Sequence, residues 1–227
     1  MSISDPAVGR LPLYQAIASE AVLRGEQYIS STTIAGELRL SPILVRKDLE
    51  STGITGVPRR GFPATELLRS LEASLAWGGL NKACLIGAGR LGATLLEYPL
   101  FARYGLSILA AFDKDPRKIG RRIAGKIVQP LAKLRAVVRR EAVLIAILTV
   151  PPEAAQEATD LAVRAGVRGI WNFTPVKLNV PPEVIIQRVE LAASLAILSK
   201  KLAEVMRLPG IAPKAPKTLD EVIQFNI

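Results

Sequence analysis

The sequence predicts an α/β chain in two parts: a small helical domain with a hairpin, then a doubly wound parallel sheet. Three observations carry this. The apolar run Ala83-Cys84-Leu85-Ile86 empties into Gly87-Ala88-Gly89-Arg90-Leu91-Gly92. A second apolar run of strand length, Ser107 to Phe112, ends at Asp113, about 20 residues past the last glycine, where a nucleotide-binding βαβ unit places its ribose-binding acid. About a third of the chain precedes the glycines, and it reads as short helices.

In chain order, the first helix spans 11–24, with Leu13, Ile17 and Ala21 at helical spacing and Gly25 as its stop. A second starts after Ser30-Ser31-Thr32-Thr33, any of which can cap it, and buries Ile34 and Leu38. A third begins at Ser41, a good N-cap, with Pro42 at the first helical position, and stops near Gly53. Val45 and Leu49, with Ser41 and Leu44, face the core, while Arg46 and Lys47 point outward. This is a helix-turn-helix layout, whose second helix offers polar and basic side chains to a major groove. The stretch Ile54 to Phe62 sets two glycines around Arg59 and Arg60, as in a hairpin wing with the basic pair at its tip. The plain alternative for Arg46, Lys47, Arg59 and Arg60 is a charged surface. A fourth helix, 65–75, aligns Leu67, Leu68, Leu71 and Leu75. Trp77-Gly78-Gly79 then marks a boundary, giving a winged-helix domain over 1–78.

In the glycine stretch, Gly87 permits a tight turn, Gly89 lets backbone approach a pyrophosphate, and Gly92 lets the next helix pack close to the sheet. Backbone N–H groups at that helix start would hold phosphate. The run 143–148 is almost unbrokenly apolar, as in a parallel strand buried on both faces, and ends at Thr149-Val150-Pro151. A helix over 153–165, a strand over 169–173 and a strand over 184–189 complete a Rossmann-type sheet over 79–190. Ligands bind such sheets at the carboxyl ends of the strands. The glycine loop, Asp113, Lys114, Thr149 to Pro151, and Asn172-Phe173 should therefore converge on one crevice; simple turn chemistry is the alternative for Thr149 and Asn172. A last helix, 191–206, has Leu195, Leu198 and Leu202 on a stripe and no place in the sheet. The tail from 208 on should be extended.

Composition narrows the function. The chain has 227 residues, 49% of them apolar, so a sizeable core is possible. The single cysteine, Cys84, lies in a predicted core strand and cannot form an internal disulfide. No apolar stretch reaches the ~18 residues of a membrane span, and the first ten residues lack a secretory pattern; the expected location is cytoplasmic. The net charge of +10 suggests an anionic partner. Residues 1–78 hold 8 basic and 8 acidic side chains, and 79–190 hold 17 and 9, with the excess concentrated between Lys114 and Arg140. That stretch is either a solvated face or a contact for a polyanion.

The motifs LPLY (Leu11–Tyr14), VRKDL (Val45–Leu49), GAGRLG, Tyr98-Pro99, AFDKDP (Ala111–Pro116), LTVPPEAAQ (Leu148–Gln156) and NFTP (Asn172–Pro175) occur in order across 10–205. Together they resemble the Rex family of redox-sensing transcriptional repressors. The resemblance implies a homodimer that binds double-stranded operator DNA through its winged helices and NADH or NAD⁺ through its Rossmann domain. It further implies that the C-terminal helix, 191–207, is exchanged between subunits, and that operator is released when NADH binds. Such coupling is reciprocal: DNA must weaken NADH binding. Tyr98 and Glu190 are implied at the dimer and switch. Family members often carry arginine at Ala16 and aspartate at Glu190, basic residues directly after Gly56, and an aromatic pair at Ser51-Thr52. These departures bear on operator preference and redox coupling.

Two rivals differ in class. An NAD-dependent oxidoreductase is disfavoured because the chain has no histidine and no substrate domain after the sheet; Tyr98 is the nearest candidate acid. The second rival is a regulator of a different nucleotide. It is disfavoured by Asp113, which repels a 2′-phosphate, although Lys114 and Arg117 could partly offset that repulsion.

Overall fold

A computed structural model describes residues 3–77 and 81–206. The boundary glycines Gly78 and Gly79 and the tail from 208 on lie outside the described residues. The chain divides into two compact units, Met1–Gln187 and Arg188–Ile227.

The N-terminal part of the first unit comprises α1 (Asp5–Val8), α2 (Leu11–Leu23), β1 (Tyr28–Ile29), α3 (Ser31–Leu38), α4 (Pro42–Ser51), β2 (Phe62–Pro63) and α5 (Ala64–Ser74). Ser30 caps α3, its hydroxyl accepting from the Thr33 N–H at 2.9 Å. Arg39, in the left-handed region, ends that helix and turns the chain into α4. Leu11, Tyr14, Ile17, Ile34, Val45, Leu49, Phe62, Leu67 and Leu71 form one core. Leu13 is half exposed, contrary to expectation: Leu11 and Tyr14 instead continue the buried stripe through Ile17, Ala18 and Ala21. Ser41 occupies the N-cap position of α4 but is exposed, and its side chain makes no cap bond.

The sheet comprises β3 (Asn81–Ile86), β4 (Leu106–Asp113), β5 (Arg122–Ile123), β6 (Lys126–Pro130), β7 (Ile145–Leu148), β8 (Gly169–Asn172) and β9 (Ile185–Arg188). Its order is β5-β6-β4-β3-β7-β8-β9, with β3, β4, β6, β7 and β8 parallel and β5 antiparallel to β6. Helix α6 (Arg90–Glu97) follows β3, and a 3₁₀ turn, Pro99–Tyr104, leads from it towards β4. Helices α7 (Leu134–Glu141) and α8 (Ala155–Ala165) connect β6 to β7 and β7 to β8. Strand alternation divides the core: Cys84 and Ile86 pack with Val137, Val138, Ala158 and Ala162 of α7 and α8, while Ala83 and Leu85 pack with Leu96 of α6.

The strand expected over 143–148 begins at Ile145; Leu144 is more than half exposed, although its N–H still bonds the Lys82 carbonyl. In the second unit, α9 (Leu191–Met206) exposes Leu191, Leu195, Leu198, Leu202 and Met206. Among the described residues no helix is long and apolar enough to cross a membrane.

Candidate functional site

The glycine loop is folded by two close approaches. Gly87 has φ +104°, and a Cβ there would meet the Thr149 carbonyl group at 2.7 Å. A Cβ on Gly92 would meet the Gly87 carbonyl oxygen, with Thr149 Oγ1 at 2.9 Å and Leu85 Cδ2 at 3.0 Å. Only hydrogen fits at either place. Thr149 closes the arrangement by donating its hydroxyl to the Gly87 carbonyl at 2.7 Å. Gly89, in contrast, has open space where a Cβ would be, and it lines a cavity of about 390 Å³.

That cavity lies at the carboxyl ends of β3, β4 and β7. Its wall brings together Gly87, Gly89, Asp113, Lys114 and Thr149 to Pro151 from among the residues singled out by sequence, with Ile86 beside them. Asp115 and Lys118 complete the β4 side, and Leu131, Ala154, Glu157, Ala158 and Leu161 the apolar side; none of these is a cofactor candidate by sequence. Lys118 was detectable in principle, because a lysine five residues beyond the strand-end acid can fold back on it. Pockets of this size with an apolar wall and few polar groups suit an adenosine-sized ligand.

Asp113 is 6% exposed and already has partners. One carboxylate oxygen accepts from the Ala88 N–H at 2.9 Å and Lys118 Nζ at 3.0 Å, and the other accepts from the Asp115 N–H at 2.9 Å. The acid therefore ties the strand end to the glycine loop. Asp115 is gripped by both the backbone N–H and the guanidinium of Arg117, at 3.0 Å each, which holds its carboxyl at about 2. Each carboxylate at this end of the cavity thus carries its own cation.

The other expected cofactor residues are placed differently. The N–H of Ala88 points to Asp113, Gly92 is buried under the loop, and Arg90 and Leu91 lie exposed on the first turn of α6. Asn172 and Phe173 do not line the cavity. The Asn172 amide donates to the Val176 carbonyl at 3.0 Å and accepts from the N–H and hydroxyl of Thr174, both at 2.8 Å, so turn chemistry occupies it. Phe173 meets Trp171 in a tilted ring contact, centroids 5.0 Å apart, on the α6 side of the sheet. Tyr98 is 43% exposed and meets Phe101 edge-on at 4.9 Å. Glu190 pairs with Arg188 at 3.0 Å.

A second concave surface lies between α4 and the hairpin. Strands β1 and β2 pair antiparallel, and a bridge between Val57 and Gly61 carries the hairpin outward. The Arg60 N–H bonds the Val57 carbonyl at 3.1 Å, with Pro58 and a left-handed Arg59 (φ +63°) inside the turn. Arg59 and Arg60 are both exposed at this tip, and the Arg60 guanidinium sits 4.7 Å above the Tyr28 ring. Ser30, Ser31, Thr32, Arg46, Glu50, Arg59 and Arg60 help to line a groove of about 710 Å³. Ile43, Arg46, Lys47 and Glu50 form the outward face of α4.

Beneath that face lies a residue not singled out from sequence. Asp48 is buried and receives Arg10 Nε and Nη2 at 2.7 and 2.9 Å and the Tyr14 hydroxyl at 2.7 Å. Burial pushes the Asp48 carboxyl up, but hydrogen bonds from Arg10 and Tyr14 outweigh it and leave it below its ordinary 3.8. Burial and the bond to Asp48 push Tyr14 up to about 12. The signal was an aspartate three residues after Val45 and one before Leu49, on the buried face of α4.

The basic stretch is partly committed internally. Arg117, Lys118 and Arg140 pair with Asp115, Asp113 and Glu141, and Arg122 donates to the Gly125 carbonyl at 2.8 Å.

Residues 80–176 match the CoA binding domain family, and residues 2–50 match the family described as "Putative DNA-binding protein N-terminus". The chain is 46% identical over 193 residues to the redox-sensing transcriptional repressor Rex of Treponema denticola, covering 85% of this chain and 92% of that relative. It is 38% identical over 214 residues to that of Thermus thermophilus, covering 91% and 99%. Among solved structures, RSP in complex with beta-NAD+ and operator DNA superposes with a TM-score of 0.82 at 31% identity, covering 91% of this chain and 95% of that one. RSP in complex with beta-NADH superposes with a TM-score of 0.80 at 30% identity, covering 91% and 97%.

Proposed function

Because the chain belongs to the Rex family of redox-sensing transcriptional repressors, we propose that its 390 Å³ cavity takes NADH or NAD⁺ and that the outward face of α4 and the hairpin take operator DNA. The observation that carries this is the convergence of Gly87, Gly89, Asp113 and Thr149 to Pro151 on one cavity at the start of α6. Those residues fit a dinucleotide: Gly89 leaves backbone open to a pyrophosphate, and the adjacent helix start favours an anion. The apolar wall from Leu131 to Leu161 suits an adenine, and Asp113 and Lys114 flank the ribose end. The bound dinucleotide supplies the redox signal; the chain supplies recognition.

Operator is held by Arg46 and Lys47 at base edges and by Ser41, Arg59 and Arg60 at the backbone. NADH in the cavity favours a state that cannot hold both operator half-sites, so the repressor is released. The active species is a homodimer, with residues 1–78 reading DNA, 79–190 binding the dinucleotide and 191–207 exchanged between subunits. Support for exchange comes from the exposed leucine stripe of α9 and from an apolar groove of about 600 Å³ lined by Leu75, Phe101, Leu106, Ile145 and Trp171. Tyr98 and Glu190 sit at the dimer and switch. The chain acts as a sensor and not as an enzyme, in the cytoplasm where its DNA target lies.

A gel shift tests this reading, using a duplex selected by the protein from a random pool. Complex that dissociates on titration with NADH and re-forms with excess NAD⁺ supports it. Complex that persists at saturating NADH overturns it.

A further inference from the structure

The winged helix and the sheet are joined by a ring contact, Trp77 on Tyr104, whose two residues also line the apolar groove proposed above for the exchanged helix. Trp77 is held at the end of α5 by two bonds: the Ala76 N–H donates to the Ala73 carbonyl, and the Trp77 N–H donates to the Glu72 carbonyl, both at 3.1 Å. Ala76 lies in the left-handed region, so this is a Schellman-type closure that fixes the indole to its helix. Helix α5 in turn is anchored through Leu67 and Leu71 in the core that also holds Val45 and Leu49 of α4. The indole and the recognition helix therefore belong to one packed body.

On the other side stands Tyr104, its ring centroid 4.7 Å from that of Trp77 at an interplanar angle of 42°. Tyr104 is the last residue of the 3₁₀ turn that begins at Pro99. That turn is entered through Tyr98 directly from α6, whose N-cap, Gly89, lies in the cavity wall. Phe101, within the turn, meets Tyr98 at 4.9 Å and Trp171 of β8 at 5.6 Å, so the turn is itself braced against the sheet. A short, continuous run of helix and 3₁₀ turn thus begins where the pyrophosphate would sit and ends on the indole of the winged helix. Helices move as rigid bodies against their neighbours, and a shift at one end is delivered to the other.

The geometry points to the Trp77–Tyr104 ring pair as the positioning contact through which α6 and its 3₁₀ turn transmit the state of the dinucleotide cavity to the DNA-reading face. This rests on the repressor reading above and adds to it the path of the signal. It also bears on Ala16 and Glu190: in this chain the position where family members often carry an arginine is an alanine that offers no side chain to a charge-based link, and an aromatic contact serves at the junction.

The test measures operator affinity with and without saturating NADH for the full-length wild type, Trp77→Ala, Tyr104→Ala, the double variant and Trp77→Phe. Calorimetry follows NADH binding to the DNA-free proteins, and sedimentation checks that each variant keeps the oligomeric state of the wild type, since both rings also line the groove proposed for the exchanged helix; a coupling loss that accompanies dissociation overturns the inference. The expected result is that NADH still binds each variant, while the NADH-induced loss of operator affinity shrinks by about 2–30-fold in Trp77→Ala and in Tyr104→Ala. The double variant should be no worse than either single one, because both remove the same contact, and Trp77→Phe should keep most of the coupling. If Trp77→Ala does not fold, Tyr104→Ala and Trp77→Phe carry the measurement. An unchanged coupling ratio in the alanine variants, with or without lowered thermal stability, overturns the inference while leaving the repressor reading intact. A wild type that NADH does not release overturns both.

Discussion

Arg10 and Asp48 form a two-point ion pair, Nε to Oδ2 at 2.7 Å and Nη2 to Oδ1 at 2.9 Å, that pins the buried side of the recognition helix to α2. Asp48 adjoins Lys47 and lies two residues from Arg46, so the pair fixes the rotation that turns those two cations outward. Asp48→Asn should destabilise the protein by about 3 kcal/mol near neutral pH, the low end for breaking a buried pair because the Arg10 side chain keeps a quarter of its exposure. Urea denaturation at pH 7 measures it; a loss under ~0.5 kcal/mol, the range of ordinary surface substitutions, would mean that the pair contributes little.

The same carboxylate sets an acid limit. Its folded-state value lies below the ordinary 3.8, so the folded state resists protonation more than the unfolded chain. The contribution is therefore fully present above 3.8 and is lost as pH falls through the lower, folded value. Wild type and Asp48→Asn should differ most at neutral pH and converge in acid. Denaturation midpoints across that range check it, and a difference that grows with acidification contradicts the assignment.

Gly92→Ala places a methyl against the Gly87 carbonyl oxygen and against Thr149 Oγ1. Neither neighbour is the free end of a flexible side chain, so the loop must shift. Overpacking of this kind costs about 1–3 kcal/mol, and NADH affinity should fall by about tenfold or more. Gly89→Ala meets no protein atom. It should fold as wild type does and lose affinity only through its methyl in the cavity. Calorimetry and thermal melts on both variants separate the two roles; equal melting losses would contradict them.

The strand-end acid and its partners show how far sequence reached. The apolar runs, the glycine spacing and the Ser41-Pro42 helix start are local signals, and they located β3, β4, α4, α8 and the cavity wall. Asp113, expected to receive a ribose, is in addition bonded to Ala88, Asp115 and Lys118; of these, the Lys118 contact is within reach of its five-residue spacing, whereas the bond to Ala88, 25 positions away, comes only from the folded sheet. Strands β5 and β6 escaped notice because Arg122 and Lys126 break any apolar pattern, and β5 gains its order only by pairing with β6. Asn172 has the composition of a ligand contact and of a turn equally, and its amide bonds to Thr174 and Val176 show turn chemistry. Asp48 and Arg10 are 38 positions apart, a separation closed only by the shared core that gathers α2 and α4.

Asp113→Ser should orphan the Ala88 N–H and remove the partner of Lys118 at the same time. A hydrogen bond to a charged group contributes about 1.5–3 kcal/mol, so NADH affinity should drop by about 10–100-fold as the loop loses its anchor. Lys118→Met leaves the Ala88 bond in place and should cost less. Calorimetry on both variants orders the two roles. A larger loss for Lys118→Met would mean that the lysine contacts the ligand directly and that its bond to Asp113 is secondary.

On the DNA side, Arg46 and Arg60 differ in surroundings and should differ in effect. Arg46 lies on the outward face of α4, whereas Arg60 at the hairpin tip is steadied over the Tyr28 ring at 4.7 Å. Arg46→Ala should cost about 1–3 kcal/mol on a selected operator and much less on random duplex, relaxing preference at one base pair. Arg60→Ala should weaken both duplexes alike and lower the slope of log affinity against log salt by about one. Binding isotherms at several salt concentrations distinguish base reading from phosphate contact for each residue. Equal losses on both duplexes for Arg46→Ala would move it into the class of phosphate contacts and leave Lys47, with Ile43 beside it, as the reader of bases.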